Sequence, residues 1–174
     1  MNACVAKGRS PTQYTKYFDT VSMCFSKGLG APVGSAVAGT RDTIKRVHRF
    51  RKMFGGGMRQ AGVIAAAALY ALEHNIDRLA EDHANAKRLA SAIADMPGVS
   101  IDVEAVETNI LYVDVNESTG TAKSVCDALR EHRVWVIPTG PQRFRAVTHL
   151  DVCAEAIDRA IAALKRVLTS RSPM

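Results

Sequence analysis

Between Met58 and Met96 the chain is so rich in alanine, leucine and isoleucine that helix is the only regular structure most of that length favours. Asn75 alone punctuates the run, and Pro97-Gly98 ends it, because a proline pushes the residue before it out of the helical region. The pattern predicts a long linking helix over 58–97, bent or broken near Asn75. What flanks it differs on the two sides. Upstream, Gly8-Arg9-Ser10-Pro11 marks a turn, and the segment before it reads as a short helix or a strand end. Thr20 to Phe25 then alternates as a strand running out at Ser26-Lys27, and a second short strand is expected over Gly34 to Ala38. From Arg41 to Phe54, Ile44, Val47, Phe50 and Phe54 recur at helical spacing, and Gly55-Gly56-Gly57 closes that amphipathic helix.

Downstream, β-branched residues return. Val99, Ile101 and Val103, then Leu111, Val113 and Val115, read as two strands. A helix with Ala122, Val125, Cys126 and Leu129 on one face follows, then strands over Val134 to Ile137 and Phe144 to Thr148. A last helix carries Ala154, Ile157, Ile161, Leu164 and Leu168, and the tail from Thr169 to Met174 is expected to fray. This second half is a compact α/β unit.

Composition narrows the function classes. At 174 residues, with 47% apolar and 23% charged residues, the chain can bury one real core. The net charge of +6 suits an anionic small ligand or nucleic acid equally. No aromatic is interleaved with exposed base-reading groups, so no nucleic-acid partner is expected. The apolar run from Ala61 to Leu72 is too short to cross a bilayer, and no secretory leader opens the chain, so no membrane association is expected. Cys4, Cys24, Cys126 and Cys153 stand far apart without a C-x-x-C, and the histidines lack zinc spacing. A disulfide scaffold and a metal site are therefore not expected, and a reducing cytoplasm fits.

Three segments could carry chemistry. Ser26-Lys27-Gly28-Leu29-Gly30-Ala31-Pro32-Val33-Gly34-Ser35 fits neither the dinucleotide fingerprint nor the P-loop, since the glycines are spaced one residue too far and the lysine precedes them. It leaves a lysine at a strand exit that could sit in a dry pocket, lose its proton and form a Schiff base, or could be an ordinary exposed lysine. Around Gly55-Gly56-Gly57, Lys52 and Arg59 bracket what reads as the start of the next helix. They could hold a phosphate or carboxylate there, or could be part of a solvated basic face. In Arg143 to Thr148, strand alternation sets Arg145 opposite Phe144, where it could grip a carboxylate or lie on a plain surface. His149, on the Arg145 face, reads as a hydrogen-bonded structural residue rather than a base.

In this order the segments resemble the low-specificity L-threonine aldolases, pyridoxal-phosphate (PLP) enzymes of the aspartate-aminotransferase-like fold. The resemblance rests on Phe18-Asp19-Thr20-Val21, on Ser26 to Ser35, on Arg51 to Gly62, on Glu81-Asp82-His83-Ala84-Asn85-Ala86 and on Arg145-Ala146-Val147-Thr148-His149. It implies an α/β fold that is the C-terminal part of a fold type I subunit. Residues 1–57 would end the large PLP-binding domain, 58–97 would form the linking helix, and 98–174 the small C-terminal domain. It implies that Lys27 bonds covalently to the cofactor, with Ser26 and Arg59 also cofactor-binding, and that Arg145 and Lys52 bind the substrate. The reaction implied is cleavage of a β-hydroxy-α-amino acid such as L-threonine or L-allo-threonine to glycine and acetaldehyde, by a homo-oligomer.

Family members are longer at the N-terminus, where a Gly-Thr loop grips the phosphate, a histidine stacks on the ring, and an aspartate of an Asp-Gly-Ala-Arg segment pairs with the ring nitrogen. Met1-Asn2-Ala3 reads as the continuation of that segment, so a truncated chain, weak or inactive alone, is expected. The alternatives are another PLP-dependent β-eliminating lyase and a non-catalytic fragment acting only as a dimerising domain.

Overall fold

The computed structural model describes residues 1–171. The chain divides into two compact units between Leu79 and Ala80.

The first unit opens with two short helices, α1 (Asn2–Lys7) and α2 (Pro11–Thr15). Gly8 ends α1 in the left-handed conformation, and Ser10 with Gln13 forms a capping box at the start of α2. Strands β1 (Thr20–Cys24) and β2 (Ser35–Gly39) pair antiparallel, from Thr20 opposite Gly39 to Cys24 opposite Ser35. Helix α3 (Arg41–Met53) starts where the Thr40 hydroxyl accepts the Thr43 N–H at 3.3 Å. Helix α4 (Gly62–His74) stops at Asn75, whose side-chain amide instead donates to the Leu29 carbonyl at 2.7 Å. The unit's core is small: Leu29, Ala31, Ala71 and Leu79 are buried, with Met1, Val5, Met23, Phe25, Leu72 and Ile76 packed around them. The apolar stripe of α3 is real, yet no residue of that helix is buried, and Phe54 just beyond it is 83% exposed.

The alanine-rich stretch is two helices rather than one. Helix α5 (Leu79–Ala94) begins four residues after Asn75, so the expected break is present. The first helix starts at Gly62 and not at Met58, because Gly55 at φ +79° and Gln60 at φ +48° hold left-handed geometry that a right-handed helix cannot run through.

The second unit is a four-stranded antiparallel sheet in the order β3 (Val99–Ser100), β4 (Ile110–Val115), β6 (Arg143–Val147), β5 (Ile137–Pro138). Leu111 faces Ala146 and Val113 faces Phe144 across the central pair, and all four are buried. They share one core with Ala86, Leu89 and Ile93 of α5, with Val125, Cys126 and Leu129 of α6 (Ala122–Glu131), and with Ile157, Leu164 and Leu168 of α7 (Ala154–Thr169). The alternation read in the sequence is thus the alternation of sheet faces. A buried polar knot ties the end of β6 to α5: the Thr148 hydroxyl donates to the Asp82 carbonyl at 2.6 Å, while Asn109 and Thr148 exchange bonds of 2.9 and 3.0 Å.

Several boundaries differ from expectation. Val103 lies in a loop rather than a strand, and β5 begins only at Ile137, since Val134 turns its N–H back to the Leu129 carbonyl. The tail does not fray at Thr169, because Arg171 donates to both the hydroxyl and the carbonyl of Ser124 at 2.9 Å. Residues 172–174 of that expectation lie outside the described residues.

Gly98, in the turn before β3, is left-handed at φ +78°, and a Cβ there would stand 2.2 Å from the Thr119 hydroxyl, which itself donates to the Gly98 carbonyl. Gly98→Ala is expected to lower unfolding free energy by about 2–4 kcal/mol, combining backbone strain with overpacking. Urea unfolding followed by circular dichroism checks this, and a loss below about 0.5 kcal/mol, the size of an ordinary surface substitution, would show that the turn simply relaxes.

Candidate active-site residues

Lys27 lies on the connection between β1 and β2, three residues past the last strand residue Cys24. The connection is closed by its own backbone. Phe25 donates to the Gly34 carbonyl at 2.9 Å, Ala31 to that of Phe25 at 3.0 Å, and Gly30 to that of Lys27 at 2.9 Å. The glycines are explained by this turn: Gly30 and Gly34 hold positive φ. At Gly28 a Cβ would come 2.9 Å from the Asn2 side chain, so α1 and not a ligand occupies that space. Leu29 and Ala31 plug the core and anchor the turn, which presents Lys27 outward.

Of the two settings open to Lys27 in the sequence, a dry pocket and an exposed strand exit, the structure shows the second. Its side chain is exposed, with no hydrogen bond or ion pair among the described residues, and it borders an open cavity of about 230 Å³. Ser22, Cys24, Gly28 and Leu29 are among the other lining residues, and no carboxylate is. Ser26 is exposed and does not line this cavity; Ser22 supplies the hydroxyl there.

Lys52 and Arg59 are brought together around a separate cavity of about 390 Å³, with His48, Arg49 and Arg51. Because α4 begins at Gly62, the triglycine does not open that helix, and the positive charge around this cavity is that of side chains rather than of helix amides. The loop is held by Arg51, whose Nε donates to the Gly56 carbonyl at 2.8 Å.

Arg145 belongs to the second unit. It lies on β6 with its side chain opposite to buried Phe144 and Ala146, directly across from Tyr112 on β4 and Ile137 on β5. Its Nε is buried and has no hydrogen-bond partner among the described residues. Two residues away Arg143 makes a two-point pair with Asp114, at 2.6 and 2.8 Å. That pair holds the Asp114 carboxyl below its ordinary range, chiefly through the hydrogen bond from Arg143. His149 is exposed beyond the strand end, and its Nδ1 accepts the Asp151 N–H at 3.4 Å, which fits the structural reading.

The sequence reading missed the Asp114–Arg143 pair and the Asn109–Thr148–Asp82 knot. The first had a partial signal, since Arg143 and Arg145 share a strand face by alternation. The second had none, because the partners are far apart in sequence. Cys126 is inert by burial, which pushes its thiol up. Among the described residues no cluster of histidine, cysteine or carboxylate could hold a metal, and no helix is long and apolar enough to cross a membrane.

Solved structures define the fold to which this chain path belongs. A putative L-allo-threonine aldolase from Listeria monocytogenes matches with a TM-score of 0.75 and 19% identity, over 94% of this chain and 48% of that one. A putative aromatic amino acid beta-eliminating lyase/threonine aldolase from Exiguobacterium matches with a TM-score of 0.77 and 19% identity, over 95% and 49%. The fold is the α/β architecture of the PLP-dependent fold type I enzymes, of which this chain covers about half. The beta-eliminating lyase family model matches residues 1–116, and the chain belongs to that family. Over 161 residues it is 44% identical to the low specificity L-threonine aldolase of Escherichia coli O157:H7, covering 92% of this chain and 46% of the relative. Over 170 residues it is 39% identical to the probable low-specificity L-threonine aldolase 2 of Arabidopsis thaliana, covering 97% and 48%. The chain spans about half the length of the curated relatives it matches.

His83 of α5 is half-buried, and burial holds its imidazole below the ordinary 6.5, with Asp82 beside it pulling the other way. A histidine whose folded value is lowered binds fewer protons folded than unfolded, so stability falls as pH drops below about 6.5. The lowered carboxylates Asp114, Asp127 and Glu155 lose their contribution only at roughly pH 4.5 and below. Melting temperatures stepped from pH 7.5 to 5 are expected to slope downward, and His83→Gln is expected to flatten that slope. An unchanged slope would assign it elsewhere.

Proposed function

We propose that this chain carries the cofactor lysine and the substrate-carboxylate arginine of a PLP-dependent aldehyde-lyase. Its substrate would be a β-hydroxy-α-amino acid such as L-threonine or L-allo-threonine, cleaved to glycine and acetaldehyde. The observation that carries the reading is Lys27: an amine without a partner among the described residues, presented by a self-bonded turn, in a chain 44% identical over 161 residues to a low specificity L-threonine aldolase.

The residues present fit the covalent attachment of PLP. The Lys27 amine faces an open cavity with no carboxylate on its wall to neutralise it. PLP, when bound, supplies an electron sink for cleavage of the Cα–Cβ bond. Lys27 would hold it through its amine. Arg145, whose buried Nε has no hydrogen-bond partner among the described residues, takes the substrate α-carboxylate and so fixes which bond to Cα can break. Lys52 and Arg59 place positive charge for anionic groups of cofactor or substrate. The free thiols of Cys4, Cys24, Cys126 and Cys153 fit a reducing cytoplasm. The exposed aromatic and apolar side chains of the first unit, Tyr17, Phe18, Phe50 and Phe54 among them, fit assembly as a homo-oligomer.

Reduction with borohydride in the presence of PLP, followed by peptide mass spectrometry, is expected to place the pyridoxyl adduct on Lys27 over other lysines, and Lys27→Ala is expected to remove it. Scattered labelling would overturn the cofactor role. Glycine formation from L-threonine separates the aldolase from a β-eliminating lyase, which would release a keto acid and no glycine.

A further inference from the structure

Across β3, β4, β5 and β6 there is one acidic residue, Asp114, and it stands on the same sheet face as two arginines, Arg143 and Arg145. Register decides which arginine receives it. Arg143 is directly opposite Asp114, whereas Arg145 is the diagonal neighbour, about 7–8 Å away and still within reach of so long a side chain. In the structure Arg143 spends both Nε and Nη2 on the two carboxylate oxygens, at 2.6 and 2.8 Å. Both oxygens are thereby engaged, and among the described residues Arg145 is left with no ion pair and with its buried Nε unbonded.

We infer that Arg143 is a positioning residue: by holding Asp114 in a two-point pair, it keeps the one carboxylate of the sheet away from Arg145 and leaves that guanidinium open to a ligand carboxylate. This rests on the reading above that Arg145 binds the substrate α-carboxylate. Charge alone would not achieve the separation, because a single-point contact leaves one oxygen of Asp114 free to draw Arg145 across the diagonal. A guanidinium fork matched to a carboxylate engages both oxygens at once and fixes the carboxylate plane toward Arg143, which lysine cannot do. Tyr112 and Ile137, the direct cross-strand neighbours of Arg145, offer it no anion.

The test uses the full chain and two readouts. Phenylglyoxal modification, mapped by peptide mass spectrometry, measures how free Arg145 is, and carboxyl NMR follows the titration of Asp114. In Arg143→Met the Arg145 modification rate is expected to fall about two- to fivefold, the range of an exposed ion pair. Asp114 should still titrate below its ordinary value, because Arg145 has replaced Arg143. Arg143→Met/Asp114→Asn is expected to restore the wild-type rate at Arg145, and Arg143→Lys to lie between. The inference is overturned if Arg143→Met leaves Arg145 as reactive as before while Asp114 returns to the ordinary carboxylate range. The pair is half-exposed, so these variants should fold, and far-UV circular dichroism checks that they do. The reading beneath it has its own arm: L-threonine with PLP should protect Arg145 of the wild-type chain. Lack of protection would sink the carboxylate-binding role without touching the competition between the two arginines.

Discussion

The antiparallel pairing of β4 with β6 is the constraint on which the second unit depends. Five residue pairs, from Ile110 opposite Val147 to Asp114 opposite Arg143, set the register. A slip of β6 by one residue would turn Phe144 and Ala146 out of the core and drive Arg143 and Arg145 into it. Burial of a phenylalanine such as Phe144 is worth about 3–5 kcal/mol against truncation, so the core holds the register firmly. The chemistry of the opposite face comes with it at no added cost in packing. Asp114, Arg143, Tyr112 and Arg145 are where they are because their sequence neighbours are inside.

The first unit is organised around a turn rather than around a sheet. Backbone bonds within Phe25 to Gly34 shape the loop, while Leu29 and Ala31 root it in a small core whose other buried members among the described residues are Ala71 and Leu79. Asn75 reinforces the root from outside the loop by bonding the Leu29 carbonyl, so the residue that ends α4 also steadies the lysine-bearing turn. The C-cap of α4 thus carries a tertiary hydrogen bond to the turn at the point where the alanine-rich run is interrupted.

Legibility in the sequence followed the range of the interactions concerned. The face alternation of Leu111 to Val115 and of Phe144 to Ala146, the stripe Ala122, Val125, Cys126 and Leu129, and the break at Asn75 are local patterns, and all are present. The start of α4 was missed because the cause lies in left-handed geometry at Gln60, which no residue preference announces. The strand expected over Val134 to Ile137 is shorter because the Val134 N–H bonds the Leu129 carbonyl at the end of α6, while the Val136 side chain is buried in the core. The motif carrying Lys27 was legible as a motif, but its glycines served the turn and α1 rather than a ligand. Thr148, within the motif that ends at His149, is a structural knot with Asp82 and Asn109. Proximity of three residues so far apart in sequence is decided only by the fold.

The two units therefore stand differently toward the chemistry proposed for them. Arg145 draws its setting entirely from elements of its own unit: β4 and β5 beside it, the packed core behind it, and the Asp114–Arg143 pair removing its competitor. Lys27 draws its position from its unit but not its seclusion, since the turn holds the backbone while the side chain meets solvent. Covalent attachment of an aldehyde needs a placed and accessible amine, and both conditions are met. Selective bond cleavage needs water kept out and charges placed around the reacting atoms, which requires further surface over the 230 Å³ cavity than this unit provides. In the function proposed, binding of cofactor and turnover of substrate therefore make separate structural demands.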